Sequence, residues 1–410
     1  MGENIGTQIE LTVDKIAHGG ITVGRLDGRV VFVSDAIPGE TVRARVSDDR
    51  KKSFWRADTV EVLEASEHRR PHIWGAASLE RDPRGRAGGA EFGHIELAHQ
   101  RELKRQVLAE SLQRMAGLES DVQVEALPGD DTANGLGWRT RIRLHVDDQG
   151  RLGPMASRSH TVIPVTDAPL ATTEVQAIIP FAERFVGLGT VDVLAPSGGE
   201  PRLVIGEQKP TVITEVVGDR KFQLDDTGFW QVHRSAAVAL TGAVQQAIDE
   251  SLFDPRAENL DLYGGVGLLA AAVADRFGAD TRITSVESDE RATDHASENL
   301  AEWLGASAES GRVDRWLRAL ESSASAGDRE RLRAATIVLD PPRSGAGAEV
   351  MALLGALAPA QLVYVACDPV ALARDVALAA QSGYRLARIR AFDLFPHTHH
   401  VEAVATLVRD

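Results

Sequence analysis

Apolar strand patterns alternate with helical patterns from about residue 235 to residue 380, and this alternation constrains the fold more than any other feature of the chain. The predicted elements are strand 259–263, helix 268–277, strand 283–287, helix 291–303, strand 336–339, strand 362–366 and helix 372–380. Strands that alternate with helices form a parallel sheet covered on both faces. Two more strand patterns, 384–392 and 401–408, are predicted to pair as a hairpin. We therefore expect an α/β domain in this half.

The N-terminal segment shows a different pattern, with short strand signals separated by Gly-Gly and Pro-Gly turns between residues 9 and 46. Such close spacing predicts a small β-barrel. From Val42 to Val46, apolar residues alternate with Arg43 and Arg45, which would bury one face and leave two guanidinium groups on the other. Together with the Lys residues and Trp55 that follow, this face suits RNA phosphates and stacked bases. The alternative is a solvated charged face with Trp55 in the core.

The length of 410 residues suggests two or three domains, since roughly 100–200 residues form one. We predict a barrel over 1–65, a mixed α/β central domain over 66–215 and a catalytic domain over 216–410. Within the central domain, residues 66–95 read as a loop, and helix 97–117 is expected to pack on the catalytic domain. The apolar stripe of that helix consists of Leu103, Val107, Leu108, Leu112 and Met115.

Composition indicates a cytoplasmic protein. No apolar run approaches the roughly 18 residues of a membrane span, and the first six residues show no signal-peptide pattern. A single cysteine excludes an intrachain disulfide framework and any Cys-rich metal site. The net charge of -15 argues against RNA, but residues 41–160 hold 20 Lys and Arg against 19 Asp and Glu, which permits a local basic surface. Arg139, Arg141 and Arg143 alternate there on one strand face, suited either to RNA or to an exposed edge.

Three predicted strands end in residues that can do chemistry, and in open α/β sheets ligands bind at that edge. Gly264, Gly265 and Gly267 follow the first strand, and Glu287 closes the next, 20 residues beyond Gly267. An acidic residue at this distance suits the hydroxyls of a ribose. The same pattern also fits a nicotinamide enzyme, or a tight packing of strand against helix without any ligand. After the third strand comes Asp340-Pro341-Pro342-Arg343, where the two prolines fix the backbone and leave the carboxylate facing the cleft.

Cys367 follows the strand at 362–366 and is the candidate nucleophile. A lone cysteine is otherwise a buried small apolar residue, so its place at a strand end is what favours catalysis. Three histidines, His397, His399 and His400, invite a metal site, but no cysteine and no carboxylate spacing complete one. Glu402 is a better candidate for a general base than for a metal ligand.

Together these motifs resemble the RNA 5-methyluridine methyltransferase family, which uses S-adenosylmethionine. The resemblance spans nearly the whole chain and rests on Phe-x-Gln231, Asp340-Pro-Pro-Arg, Cys367-Asp-Pro and His-Thr-x-His-x-Glu402. It implies a Rossmann-like class I methyltransferase domain preceded by a TRAM barrel. It also implies that Gln231, Tyr263, Glu287 and Asp340 line the cofactor site, that Cys367 is the nucleophile and that Glu402 is the base.

The resemblance further implies an RNA partner, no membrane and a monomer. We prefer 23S rRNA over tRNA as the substrate, because some tRNA members of the family lack the barrel. Many members bind an iron-sulfur cluster through four cysteines, whereas this chain has Ala87-Gly-Gly-Ala90 and Asp167-Ala-Pro in the matching stretches. We therefore expect no cluster and no metal. Relatives also often carry cysteine where this chain has Gly264.

Three alternatives to uridine methylation stay open at this point. An RNA cytosine-C5 methyltransferase would use the same thiol addition, although such enzymes typically use two cysteines. A non-catalytic RNA-binding protein would keep the fold without turnover, but retention of Gln231, Asp340, Cys367 and Glu402 together argues against it. A nicotinamide enzyme would bind NAD, whereas the favoured interpretation requires binding of S-adenosylhomocysteine.

Overall fold

The computed structural model describes residues 4–157 and 159–409, and it begins with a closed five-stranded barrel. The barrel strands are β1 (Gln8–Ala17), β2 (Ile21–Leu26), β3 (Arg29–Ser34), β4 (Thr41–Asp48) and β5 (Phe54–Glu64). They close in the order β1-β2-β3-β5-β4. The predicted alternation in β4 is confirmed, because Val42, Ala44 and Val46 are buried in the barrel core while Arg43 and Arg45 form ion pairs outside it.

The sequence left open whether Trp55 is exposed for RNA or buried in the core, and in the structure it is partly buried. Its ring packs partly against the barrel core, and the Arg29 guanidinium carbon lies 4.3 Å from the ring centroid. A groove of about 740 Å³ opens beside it, with Arg50, Lys51 and Lys52 among its lining residues. The barrel surface therefore combines cationic and aromatic groups at one place.

The segment after the barrel folds back on itself before a long helix begins. The predicted loop contains two short helical turns, and Trp74, Ala87 and Ala90 bury in a cluster with Trp138. Helix α1 (Leu97–Ala116) then ends at Gly117 in the left-handed region and is followed by β6 (Val124–Glu125). Helix α1 buries Leu103, Leu108 and Leu112, whereas Met115 is 41% exposed and does not join the core.

A small sheet and a hairpin complete the central segment. The sheet has the order β10-β9-β7-β8, from β7 (Arg141–Val146), β8 (Leu152–Gly153), β9 (Thr190–Leu194) and β10 (Arg202–Ile205), with α2 (Thr173–Ile178) between β8 and β9. The hairpin joins β11 (Val212–Val217) and β12 (Arg220–Asp225). The three predicted arginines do not share one environment, because Arg143 pairs with Asp192 at the surface, Arg141 pairs with the buried Glu215, and Arg139 precedes β7.

The C-terminal half contains the predicted sheet, so the expected α/β class is confirmed. Its strands are β13 (Asn259–Leu262), β14 (Ile283–Glu287), β15 (Ala306–Ser310), β16 (Thr336–Leu339), β17 (Gln361–Ala366), β18 (Tyr384–Phe392) and β19 (Glu402–Arg409). Together with β6 they form one sheet in the order β15-β14-β13-β16-β17-β19-β18-β6. The first five strands in that order are parallel, and β18 and β19 pair as the predicted antiparallel hairpin.

Helices pack on the sheet, and one comes from outside the C-terminal half. The remaining helices are α3 (Ala236–Ala247), α4 (Leu268–Phe277), α5 (Glu290–Asn299), α6 (Val313–Ser323), α7 (Ala326–Arg333), α8 (Gly347–Leu357) and α9 (Pro369–Ala380). Two large apolar clusters contain side chains that alternate along the central strands, as a doubly covered sheet requires. Helix α1 packs against α9, so the central segment adds both a helix and the edge strand β6 to this domain.

Within 4–157 and 159–409, no helix has both the length and the apolar character needed to cross a membrane. The prediction that the chain has no signal peptide rests partly on residues 1–3, which lie outside the described residues. Asp410, the last residue of the predicted catalytic domain, also lies outside them. The domain limits at 65 and 215 stay a prediction; residue 215 falls within β11.

Candidate active site

The parallel strands bring the predicted residues to one edge of the sheet. Tyr263, Asp340 and Cys367 directly follow β13, β16 and β17, and Glu287 is the last residue of β14. Parallel neighbouring strands end at the same edge, so these four side chains gather there. Glu402 begins β19, which runs in the opposite direction and therefore starts where the others end.

One cavity of about 1300 Å³ lies at this edge. All six residues singled out in the sequence line it, namely Gln231, Tyr263, Glu287, Asp340, Cys367 and Glu402. Acidic groups, the cysteine and several apolar side chains thus share one space, large enough for a small-molecule ligand.

Cys367 and Glu402 are placed by the pairing of β17 with β19. The register pairs Ala366 with Ala403, so the next position in each direction brings Cys367 and Glu402 to facing places just beyond the ladder. Such a position needs no flexible loop to bring a thiol and a carboxyl together. Glu402 is buried, whereas Cys367 is partly accessible.

Burial dominates the electrostatics of the cavity. It raises the pKa of the Asp340 carboxyl to about 7, and burial together with the neighbouring Asp340 raises the pKa of Glu402 well above its usual value. Burial, then the nearby Glu402 and Asp340 carboxyls, raises the pKa of the Cys367 thiol to about 12, while Arg343 acts in the opposite direction. A cationic ligand in this cavity would favour the ionised forms of both carboxyls.

The loop after β13 leaves open backbone near the cavity. Tyr263 adopts a φ of +62°, a left-handed conformation that costs on the order of 1–3 kcal/mol for a residue with a side chain. The backbone N–H of Gly265 donates to a Glu287 carboxylate oxygen at 3.1 Å, which fixes that carboxylate beside the loop. A side chain at position 264 would collide with the Ser285 hydroxyl, so the glycine found there matches its surroundings.

The structure adds cavity residues that the sequence did not assign to the site. Arg139 is partly buried at the cavity, and its Nε donates to the Arg141 carbonyl at 2.9 Å. Asp314, in the first turn of α6, also lines the cavity. The sequence before it shows no strand pattern, so nothing in the sequence marked it as a site residue. Phe229, which was noted only as part of a motif, is 75% exposed at the cavity. Arg343 also lines the cavity, and its guanidinium lies 3.4 Å from the His400 ring.

The stretch that the resemblance matches to iron-sulfur ligands has no thiolate donors. Ala87 and Ala90 lie in an apolar cluster with Trp74, whose Nε1 donates to Asp167 at 2.8 Å. Since cluster irons are held by cysteine thiolates, these side chains do not fit such a group.

The three histidines are also engaged in contacts other than a metal site. His397 bonds Gln100 and the Asn134 carbonyl through its two ring nitrogens, and no group of three or more ligating side chains with metal-site geometry occurs among the described residues.

Comparison with known proteins places the chain in a family. The family model described as tRNA (uracil-5-)-methyltransferase matches residues 217–410, and that of the TRAM domain matches residues 2–54. A protein of Streptomyces avermitilis named an uncharacterized RNA methyltransferase is 36% identical over 98% of both chains. A protein of the same kind from Bifidobacterium longum is 34% identical over 98% of this chain and 97% of its own.

A solved structure has the same overall fold. It is the Pyrococcus abyssi tRNA (uracil-54, C5)-methyltransferase in complex with S-adenosyl-L-homocysteine, with a TM-score of 0.68 and 21% identity over 99% of this chain and 100% of that chain. The likeness confirms the expected barrel and Rossmann-like domain. With the family model and the relatives of matching length, it confirms the resemblance noted from the motifs. The chain belongs to the S-adenosylmethionine-dependent RNA uracil-5 methyltransferase family.

Proposed function

We propose that this protein transfers a methyl group to carbon 5 of a uridine in RNA, with Cys367 as the nucleophile and Glu402 as the base. The supporting observation is the register that brings Cys367 and Glu402 to facing positions in a cavity also lined by Gln231, Tyr263, Glu287 and Asp340. A thiol opposite a buried carboxyl suits a reaction that needs both covalent attack and proton removal.

We assign Gln231, Tyr263, Glu287 and Asp340 to the S-adenosylmethionine site. When bound, this cofactor supplies an electrophilic methyl group on a positively charged sulfur. The donor set fits it, because the Glu287 and Asp340 carboxyls suit ribose hydroxyls and positive charge, while Val266 and Pro341 offer apolar surface in the same cavity. Glu287 is held by the Gly265 backbone and keeps acceptor capacity for a hydroxyl.

Cys367 makes carbon 5 reactive. Its thiolate adds to carbon 6 of uracil, forming a carbon–sulfur bond and moving the electron pair of the ring double bond toward carbon 5. Carbon 5 then takes the methyl group as the bond between that methyl and the sulfonium sulfur breaks, and S-adenosylhomocysteine would be the leaving group. The thiolate is the reactive form, and Arg343 is the cation in the cavity that lowers the pKa of this thiol. Arg343 thus favours the form that attacks.

Glu402 completes the cycle. Its carboxylate removes the proton from carbon 5, the electrons of that bond re-form the ring double bond, and Cys367 leaves carbon 6 as a thiolate. Burial raises the pKa of Glu402, so positive charge in the cavity favours its ionised form, and a bound sulfonium would supply that charge until the methyl group is transferred.

We propose 23S rRNA as the substrate and test tRNA beside it. The barrel supports rRNA by analogy with the family, whereas the whole-length likeness to the Pyrococcus abyssi tRNA enzyme favours tRNA as the second candidate. In either RNA the target carbon is shielded by stacking, so the base must be flipped out or lie in a loop, at a cost of a few kcal/mol.

The test mixes protein, S-adenosylmethionine and unmodified RNA that carries 5-fluorouridine. Fluorine cannot leave as a proton, so the covalent intermediate should persist as a denaturant-resistant adduct in wild type and disappear in Cys367→Ala. Thermal stabilisation by S-adenosylhomocysteine in both proteins shows that the variant is folded. No adduct with either RNA, while RNA and cofactor still bind, would overturn the mechanism. An adduct only with 5-fluorocytidine RNA would select the cytosine enzyme.

A further inference from the structure

A turn of the barrel contacts the loop that contains Cys367. The side chain of His18, between β1 and β2, lies with Nε2 2.7 Å from Oδ2 of Asp368. The other oxygen of Asp368 accepts from the backbone N–H groups of Val370 and Ala371, 3.0 and 2.8 Å away, and so caps α9. One carboxylate therefore joins the barrel to the first turn of the helix that follows Cys367.

The same turn contacts the loop that leads to Glu402. Gly20 lies so close to that loop that a Cβ on it would be 2.5 Å from the Cβ of His399, and its φ is +70°. His399 is three residues before Glu402. A cavity of about 240 Å³ separates the turn from the thiol, with His18 and Cys367 both among its lining residues. The turn thus contacts both loops of the reaction centre.

The turn is held in place by packing as well as by charge. Ile16 at the end of β1 is buried in one cluster with Leu103 of α1 and with Phe92. Lys15 pairs with Glu110 of α1 at 2.8 Å, on the surface. These contacts fix the barrel on α1, and α1 itself packs against α9.

We propose that His18 is a positioning residue for Cys367, acting through Asp368 to hold the thiol in the reactive place when the barrel is docked. Asp368 is otherwise a negative charge beside the thiol, and it raises the pKa of Cys367. The hydrogen bond to Asp368 raises the pKa of His18, so the imidazole is more readily protonated and offsets this charge. For catalysis this inference rests on the proposed function; for the state of the thiol it does not.

Four variants test the proposal. His18→Ala removes the contact, and His18→Gln keeps an N–H donor at a similar reach. Asp368→Ser keeps a good helix cap but is too short for His18, and the double variant His18→Ala with Asp368→Ser completes a cycle. In single-turnover methylation at saturating RNA, we expect His18→Ala to be slower by about tenfold with an unchanged RNA Kd, and His18→Gln to recover most of the rate.

Alkylation of Cys367 by iodoacetamide gives a second measurement that needs no RNA, because this is the only cysteine of the chain. We expect His18→Ala to slow alkylation at a fixed pH, Asp368→Ser to accelerate it, and the double variant to match Asp368→Ser. An effect of His18→Ala that persists in the Asp368→Ser background would overturn the proposal. A weaker RNA Kd with an unchanged saturated rate would also overturn it and make His18 an RNA contact.

The proposed function and the proposed role of His18 can each be disproved without the other. If wild-type protein methylates no RNA, the proposed function is wrong, but the alkylation cycle still decides whether His18 acts through Asp368. Gly20→Ala offers an independent check, because the added Cβ should push the turn away from His399 without removing the imidazole. We expect it to reproduce the slow methylation of His18→Ala.

Discussion

Cys367 and Glu402 stand opposite each other one residue beyond the Ala366–Ala403 pair, where the antiparallel strand β19 pairs with β17 of the parallel strands. The proposed nucleophile at the end of β17 and the proposed base at the start of β19 can meet only because β19 is antiparallel to β17. Had β19 been parallel, Glu402 would begin it at the far edge of the sheet. The strand reversal is thus a condition for the proposed chemistry.

Glu402→Gln should trap the enzyme on natural RNA. Glutamine keeps the shape of the side chain but cannot accept the carbon 5 proton, so methylation proceeds to the adduct and stops there. We expect a denaturant-resistant adduct without fluorouridine and a turnover lower by about 10²–10⁴-fold. A denaturing gel shift of radiolabelled RNA measures the adduct, and Cys367→Ala is the control that cannot form one. Normal turnover in this variant would show that another group is the base.

Asp261→Asn should alter how stability depends on pH. Asp261 is buried beneath the glycine loop, and burial raises its pKa to about 7. The unfolded carboxyl releases its proton near pH 4, so the wild-type contribution to stability is present below that pH and is lost as pH rises toward 7. The asparagine does not titrate. Its stability relative to wild type should therefore increase between pH 5 and pH 8 by on the order of 2 kcal/mol.

Urea unfolding at several pH values measures this difference. Only the change in the stability difference between the two proteins is diagnostic, because partly buried histidines such as His72 and His400, whose pKa values are lowered, titrate in the opposite direction in both. A constant difference across the range would show that Asp261 is already ionised in the folded protein.

The buried pair Lys104 and Asp393 should be costly to break. Lys104 Nζ lies 2.5 Å from the Asp393 carboxylate and 3.0 Å from the Phe395 carbonyl, with both side chains almost fully buried. Lys104→Met leaves a buried carboxylate unpaired, so we expect a loss of about 3–5 kcal/mol in the free energy of unfolding. Adding Asp393→Leu should restore most of it. Lys15→Met, at a surface pair, should cost less than about 1 kcal/mol.

The barrel groove should contribute salt-dependent RNA affinity. Lys51 and Lys52 are exposed beside Trp55 and Arg29, where they can meet RNA phosphates. Replacing either by alanine should lower the slope of log Kd against log salt by about 1. Arg333→Ala is the control, because α7 ends just before β16 and so lies at the edge opposite the cavity. If the slope of log Kd against log salt is the same for both lysine variants as for Arg333→Ala, the groove does not contact the RNA.

The sequence predicted those parts of the fold whose burial is complete. The residues of β13, β16 and β17 are all buried, and the candidate residues were found because they follow these strands. β16 and β17 read as nearly continuous apolar runs, whereas in β13 Leu260 and Leu262 alternate with two buried polar residues. β15 was missed, because Ala306–Ser310 is a polar edge strand without alternation. α7 was missed for a related reason, since Leu332 is its only buried residue.

Contacts between distant parts of the chain left no local pattern. His18 and Asp368 are 350 residues apart, and neither lies in a periodic segment that would link them. Arg139 was assigned to a strand face, but β7 begins only at Arg141, and tertiary packing turns Arg139 to the cavity instead. The helix predicted over 291–303 ends at Asn299 because Leu300 and Trp303 are held by a turn in the core.

The two-residue strand β6 has a consequence for how the molecule is made. It pairs with Ala391 and Phe392 at one end of β18 and covers that part of the outer edge of the sheet, yet it is synthesised some 260 residues before β18 begins. During translation β6 and α1 are made before the sheet on which they pack, and β18 can pair with β6 only when it is synthesised later. A fragment restricted to residues 217–410 would leave Ala391 and Phe392 without this partner and open to pairing with other copies. A family model matches the catalytic half by itself, whereas its sheet and helix layer are completed by the chain that precedes it.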